Sequence, residues 1–229
     1  YNQDKPLLSE IRGGYVGHTI QAIPTLEQYD ANQTGGYGAL YGDVVNLYNP
    51  LGMVDDNLMN RYSDNVKIYA NAYVSVEFMK GLKYKLNLTP DFQFYRYNSY
   101  LGLYDYGLNK NDITQVTEQQ TRTRNVLVEN LLTFDRTFGD HKISVLAGYT
   151  YQDSRYRYMQ GSGQGMPTGI KEIDAAAQGL AVSGNSSRSV LTSILGRAFY
   201  SYKNRYLLTA TIRRDGSSKF GSNNRYGNF

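Results

Sequence analysis

Apolar residues recur at every second position along much of this chain. From Val66 to Phe78 they are Val66, Ile68, Ala70, Ala72, Val74, Val76 and Phe78, with Lys67, Tyr69, Asn71, Tyr73, Ser75 and Glu77 between them. A period of two places the first set on one face of a strand and the second on the other. The pattern returns over Leu82–Tyr95, where Leu82, Tyr84, Leu86, Leu88, Phe92 and Phe94 oppose Lys83, Lys85, Asn87, Asp91 and Gln93. It returns again over Arg124–Phe138, with Val126, Val128, Leu132 and Phe134 on one face and Asn130 as a polar exception there. Over Lys142–Gln152 it is carried by Ile143, Val145, Ala147, Tyr149 and Tyr151. Two last runs meet at Lys203-Asn204; in the second, Tyr206, Leu208, Ala210 and Ile212 oppose Leu207, Thr209, Thr211 and Arg213. This predicts about six antiparallel strands in hairpins over 66–97, 122–152 and 188–220. Pro90 lacks an N–H and interrupts an apolar face, which predicts a bulge or weak pairing.

The connections sharpen the picture. Met79-Lys80-Gly81, Gly139-Asp140-His141 and Lys203-Asn204 are tight links, whereas Arg96 to Thr123 and Asp153 to Arg188 read as long ones. Strict alternation of short and long links is the habit of a bacterial membrane barrel, with short turns in the periplasm and long loops outside. Tyrosines at the strand ends, Tyr95–Tyr97 and Tyr156–Tyr158, fit an interfacial girdle. Residues 1–65 carry turn chemistry (Gly13-Gly14, Gly35-Gly36-Tyr37-Gly38, Asn49-Pro50-Leu51-Gly52) without sustained periodicity, and read as an extracellular loop region at a barrel rim. Within it a short helix is expected over Tyr15–Ala22, ending before Pro24. A helical turn is expected around Glu172–Gln178. Residues 66–229 then form the barrel part.

Composition limits the alternatives. In 229 residues there are 23 Tyr, no Trp and no Cys, so disulfides and thiolate metal sites are excluded. No apolar run approaches the ~18–20 residues of a membrane helix, while strand alternation hides a barrel from such a test. The net charge is +4 and its basic residues are interspersed with acidic ones, so no nucleic-acid groove is expected. The start Tyr-Asn-Gln-Asp-Lys shows no signal peptide, and the chain reads as an internal fragment.

The closing run GRAFYSYKNRYLLTATIRRDGSSKFG, Gly196 to Gly221, resembles the characteristic barrel hairpin of the SusC-like (SusC/RagA) family of TonB-dependent outer-membrane transporters. NVLVENLLTFDRTFGDHKISVLAGYTYQ (Asn125 to Gln152) and NAYVSVEFMKGLKYKLNL (Asn71 to Leu88) are similar to other hairpins of that family. The resemblance implies an all-β fold: an antiparallel transmembrane β-barrel segment with long extracellular loops, about six strands of a roughly 22-stranded barrel. The plug domain and the remaining strands would lie outside the chain. It further implies a Gram-negative, Bacteroidetes-like outer membrane and import of a nutrient oligomer, a glycan or else a peptide. A SusD-like lipoprotein would act as lid, and TonB would supply energy through a region N-terminal to this one. Two other readings stay open: a small self-contained outer-membrane barrel serving as adhesin or structural protein, and a soluble all-β carbohydrate-binding module. The module predicts apolar faces buried against each other.

Little here points to catalysis, and no enzyme activity, cofactor or metal is expected. His18 and His141 are the two histidines, and His141 reads as a solvated turn residue. Asp55-Asp56 is an ordinary acidic loop pair with a small claim on calcium. Gly161-Ser162-Gly163-Gln164-Gly165 lacks the Lys-Ser/Thr ending of a phosphate loop. Candidate cargo contacts are loop tyrosines, whose flat faces and hydroxyls suit sugars and peptides: Tyr37, Tyr41, Tyr100, Tyr104 and Tyr106. Packing of the loops is the competing role. Arg213, Arg214, Asp215, Gly216, Ser217 and Ser218 read as an architectural motif, with Arg213 on the lumen face paired to a carboxylate and Asp215-Gly216 opening a turn. Lys67, Glu77, Lys85, Glu129, Asp135 and Arg197 fall on that same polar face, where they would pair with a plug or with one another.

Overall fold

A computed structural model describes residues 2–4, 14–39, 47–221 and 224–229. In chain order its elements are β1 (Asn2–Asp4), α1 (Gly14–Gln21), α2 (Pro50–Val54), β2 (Met59–Tyr69), β3 (Ala72–Met79), β4 (Leu82–Leu101), β5 (Tyr104–Asp105), β6 (Lys110–Asn111), β7 (Gln115–Phe138), β8 (His141–Gln164), a 3-10 turn at Ile173–Ala175, β9 (Gln178–Tyr202), β10 (Tyr206–Ser217) and β11 (Tyr226–Asn228). One sheet runs β1-β2-β4-β7-β8-β9-β10-β11, with β3 also paired to β4; β5 and β6 form a separate ribbon. The expected strands are all present. They are longer than the alternation implied: β4, β7, β8 and β9 hold 20, 24, 24 and 25 residues. The expected long links from Arg96 to Thr123 and from Asp153 to Arg188 are therefore mostly strand. Alternation reports two different environments, and it lapses where both faces of a strand meet polar surroundings. β1 and β11, at the two ends of the sheet order, were not anticipated.

The chain divides into two compact units, one of Tyr1–Val66, Phe94–Thr121 and Tyr158–Asn185, the other of Lys67–Gln93, Arg122–Arg157 and Ser186–Phe229. In the second unit β3 pairs with β4 through Val74↔Leu86 and Ser75↔Lys85, and β10 with β9 through Leu208↔Tyr200, Ala210↔Ala198 and Thr211↔Arg197. Opposed residues share a face, so the apolar positions of each hairpin fall together. The first expected strand is broken in two at Ala70-Asn71. The cause is Pro90: β4 passes through it without a break, and the irregularity is transferred to the partner. There the Ala70 N–H still reaches the Pro90 carbonyl at 3.1 Å, while Asn71 turns its amide onto Asn87 and Thr89. Asn130, the polar exception, accepts a 2.6 Å hydrogen bond from the Tyr84 hydroxyl, which removes most of the cost of an amide on an apolar face.

Several charges on the opposite face find local partners. Glu77 meets Lys83 and accepts from the Gly81 N–H at 3.0 Å, Lys67 meets Asp91, Lys85 lies over the Tyr73 ring, and Glu129 accepts from Asn87 at 2.8 Å. The tight turns need special backbone. Lys203 and Asn204 both have positive φ, 50° and 52°, the mirror-image turn that matches strand twist. His141 is not merely a solvated turn residue: it opens β8, bonds the Tyr200 hydroxyl at 2.6 Å and packs on Tyr202. Gly81 has φ +87°, and a Cβ there would strike the Asp135 carbonyl. Gly81→Ala should cost about 2 kcal/mol or more, from left-handed strain plus the clash, seen as an earlier midpoint in urea unfolding of the intact barrel.

In the first unit the expected helix is α1, and the expected helical turn is the 3-10 turn at Ile173–Ala175. Asn49-Pro50-Leu51-Gly52 is a helix start, not a bare turn. Asn49 Oδ1 accepts from the Leu51 N–H at 3.0 Å and Pro50 takes the first helical position, where its missing N–H costs nothing. The Asn49 amide also donates to the carbonyls of Gly38 (3.0 Å) and Glu27 (3.1 Å). One apolar core joins Met53, Leu58, Met59, Tyr104 and Tyr106, flanked by Tyr15, Tyr37, Tyr48 and Leu101. A second joins Tyr100, Val116 and Met166, flanked by Ile173, Ala175 and Ala176.

Candidate functional site

The loop tyrosines offer flat faces suited to a ligand, and the structure encloses three of them. Tyr100, Tyr104 and Tyr106 are 2, 5 and 2% exposed. Tyr104 and Tyr106 stack at 4.9 Å, and Tyr48, which the sequence reading missed, meets both from the side. The Tyr100 hydroxyl accepts from the Gly169 N–H at 3.3 Å. Further chain can only cover these rings more. Their expected role as exposed platforms is thus corrected to packing, because a short loop in water must bury its own large rings to hold a shape. Tyr41 lies outside the described residues.

Tyr37 differs. It is half-buried, donates its hydroxyl to Asp55 Oδ2 at 2.9 Å and lies 5.5 Å from the exposed Tyr29 ring. Burial, with the Asp55 bond second, pushes its hydroxyl up to about 12, so it stays a neutral donor at any physiological pH. Burial raises Tyr104 and Tyr106 as well. Asp55 Oδ1 also accepts from the Asn57 N–H at 2.8 Å. Its carboxylate is committed to the turn and to Tyr37. Among the described residues no cluster of His, Cys, Asp and Glu could hold a metal ion.

The closing motif occupies both faces of β10. Arg213 Nε donates to Asp215 Oδ1 at 2.7 Å, and its Nη2 lies 3.4 Å from Ser193 Oγ on β9. Arg214, on the other face, stands 4.9 Å over the Tyr226 ring of β11. Gly216 lies opposite Tyr226, and a Cβ there would meet that ring at 2.5 Å. Asp215-Gly216 do not open a turn: β10 continues through Ser217, because β11 supplies a second pairing partner. The Ser218 hydroxyl accepts from the Val190 N–H at 2.8 Å and closes the ladder.

The apolar face of the hairpins stays open. Val74, Ile194, Leu208 and Ile212 are 61, 60, 65 and 67% exposed. A carbohydrate-binding sandwich would bury such residues against a second sheet; among the described residues they are covered by none. Among the described residues no helix is long and apolar enough to cross a membrane, which leaves crossing by strands untouched.

No family model matches the chain. TonB-dependent receptor P3 of Formosa agariphila is 29% identical over 227 residues, 95% of this chain and 21% of that receptor. TonB-dependent receptor SusC of Bacteroides thetaiotaomicron is 52% identical over 44 residues, 19% of this chain and 4% of that one. This chain is homologous to part of a SusC-like TonB-dependent receptor. The fold agrees: the RagAB peptide importer in its open-open state superposes with a TM-score of 0.74 at 18% identity, over 88% of this chain and 22% of that one. The segment thus spans about a fifth of the receptors it matches. In the SusC-like setting the open sheet is one arc of a barrel, which alone lets strand edges exist beside lipid.

Proposed function

We propose that the intact protein is an outer-membrane transporter importing nutrient oligomers, glycans in the first place and peptides in the second. In this reading a SusD-like lipoprotein covers the entrance, and TonB delivers energy through a plug domain in the remainder of the protein. The present chain contributes barrel strands and their connections. One observation carries the reading: large apolar residues such as Val74, Ile194, Leu208 and Ile212 stand exposed on one face of the hairpins, while Lys67–Asp91, Lys83–Glu77 and Glu129–Asn87 meet on the other. That division suits lipid outside and a filled, polar lumen inside. Cargo contact falls to the exposed Tyr29 ring and the half-buried Tyr37 beside it, while the buried tyrosines hold the loop core in shape. The Arg213–Asp215–Ser193 group is architectural.

The test is a deletion of the gene in its native strain, with growth followed on defined oligosaccharides and on peptides as sole nutrient, together with affinity capture of the tagged protein from outer-membrane fractions. Loss of growth on at least one oligosaccharide and co-capture of a lipoprotein are expected. Loss on peptides alone would reverse the order of cargo. Unimpaired growth on all, or recovery of the protein outside the outer membrane, would overturn the reading.

A further inference from the structure

On β7, β8 and β9, neighbours in the sheet, the apolar face gives way to arginines. Moving away from the tight turns along β7, Phe134, Leu132, Asn130, Val128 and Val126 give way on the same face to Arg124 and Arg122. Along β8, Ile143 to Tyr151 give way to Asp153, Arg155 and Arg157. Along β9, Ile194, Thr192 and Val190 give way to Arg188. All five arginines are exposed and lie in the second unit. Asp153 stands as the single carboxylate among them. It accepts from Arg188 through Nε (3.0 Å) and Nη2 (3.0 Å), and from Arg155 through Nη2 (3.0 Å). Arg124 lies over the Phe92 ring at 5.8 Å. Arg122 and Arg157 form no ion pair among the described residues.

A guanidinium has five N–H donors in a rigid fork. Asp153 uses only part of those of Arg155 and Arg188, fixes both side chains, and leaves free donors directed to solvent; their side chains are 49 and 54% exposed against 14% for Asp153. Five like charges beside one carboxylate repel each other unless an anion joins them. Their position matters too. An arginine is costly at the middle of a lipid face and nearly free at its interface; these residues begin where the apolar run stops, on the side away from the tight turns.

We propose that Arg122, Arg124, Arg155, Arg157 and Arg188 form a docking surface for the phosphate of a phosphorylated glycolipid of lipid A chemistry, seated against the outside of the barrel. The acyl chains continue onto Val126, Val128, Val145, Ala147 and Ile194. The guanidinium forks match phosphate oxygens bidentately, and the apolar belt directly beneath fixes the orientation of the lipid. This inference rests on the outer-membrane reading above.

The test uses the full-length transporter, purified from outer membranes, with binding measured by native mass spectrometry. The probes are monophosphoryl lipid A, its dephosphorylated form, and phosphatidylglycerol. Monophosphoryl lipid A should bind, and the double variant Arg122→Gln/Arg157→Gln should weaken it about 30-fold, from roughly 1 kcal/mol per surface arginine. These two residues hold no partner that folding needs, and heat-modifiable migration in gels confirms that the variant is folded. The dephosphorylated form should bind equally to both proteins. Equal affinity for the phosphorylated and dephosphorylated forms, or an unchanged affinity in the variant, would overturn the inference. So would phosphatidylglycerol binding as tightly as the glycolipid, since the site would then read only negative charge. A protein that does not fractionate with the outer membrane overturns the transporter reading itself; failed phosphate discrimination in a correctly fractionated protein overturns this inference alone.

Discussion

Ala210→Arg is expected to stop the barrel from assembling, whereas Thr209→Arg, one residue away, is tolerated. Ala210 pairs with Ala198 across β10 and β9 and lies on the face of Leu208 and Ile212. An arginine at that depth would place its charge against hydrocarbon, at about 2–4 kcal/mol. Thr209 pairs with Phe199 and lies on the face of Arg197 and Arg213, where a cation meets other polar groups. Total stability of a domain is about 5–15 kcal/mol, and assembly intermediates are less stable still, so the first cost is felt as lost yield. Outer-membrane fractions probed for the heat-modifiable form read the difference. Equal yields of the two variants would mean that the faces have been assigned the wrong way round.

The second large effect lies in the loop core. Tyr106→Ala should destabilise its unit by about 3–5 kcal/mol, the usual cost of removing a buried aromatic ring. Its ring stacks on Tyr104, meets Tyr48, and covers Gly52 so closely that no Cβ fits there. Tyr106→Phe should behave in the opposite way. The Tyr106 hydroxyl is buried with no hydrogen-bond partner among the described residues, and an unpaired buried hydroxyl costs about 1–3 kcal/mol. Its removal should leave stability unchanged or raise it. Limited proteolysis of the intact protein, with cleavage mapped to residues 47–60 and 102–114, separates the outcomes. A Tyr106→Phe variant cleaved faster than the parent would show that the hydroxyl has a partner in the complete barrel.

Both predictions depend on faces, and faces were mostly visible in the sequence. Val74 with Val76, Leu208 with Ile212, and Ile143 with Val145 announce strands because their two faces carry different residue types at a period of two. The tight turns were equally visible, since Gly81, Gly139 and Lys203-Asn204 are residues chosen for backbone conformation. What lay beyond the alternation was not visible. The upper reaches of β4, β7, β8 and β9 carry Gln, Thr, Arg and Tyr on both faces and look like loop; only ladder pairing along their full length makes them strand. Pro90 lies inside an unbroken β4, yet the break falls opposite it at Ala70-Asn71, because the N–H that Pro90 lacks is the one the partner strand would have received. Ser193 and Tyr226, which complete the Arg213 and Arg214 contacts, are distant in sequence or sit in a run without period.

The amino-acid sequence by itself determined that this chain makes antiparallel hairpins with one apolar and one polar face, and it carried enough SusC-like wording to name their kind. Those properties are local: each follows from residues two apart or from a turn of two or three. The tertiary structure alone decided which tyrosines are available. Tyr100, Tyr104 and Tyr106 have the composition of a binding surface, but burial is a property of what packs around a ring, and Met53, Leu58, Val116 and Met166 come to them from elsewhere in the chain. It also decided that arginines scattered from position 122 to 188 share one face of three adjacent strands, a proximity set by the order of strands in the sheet.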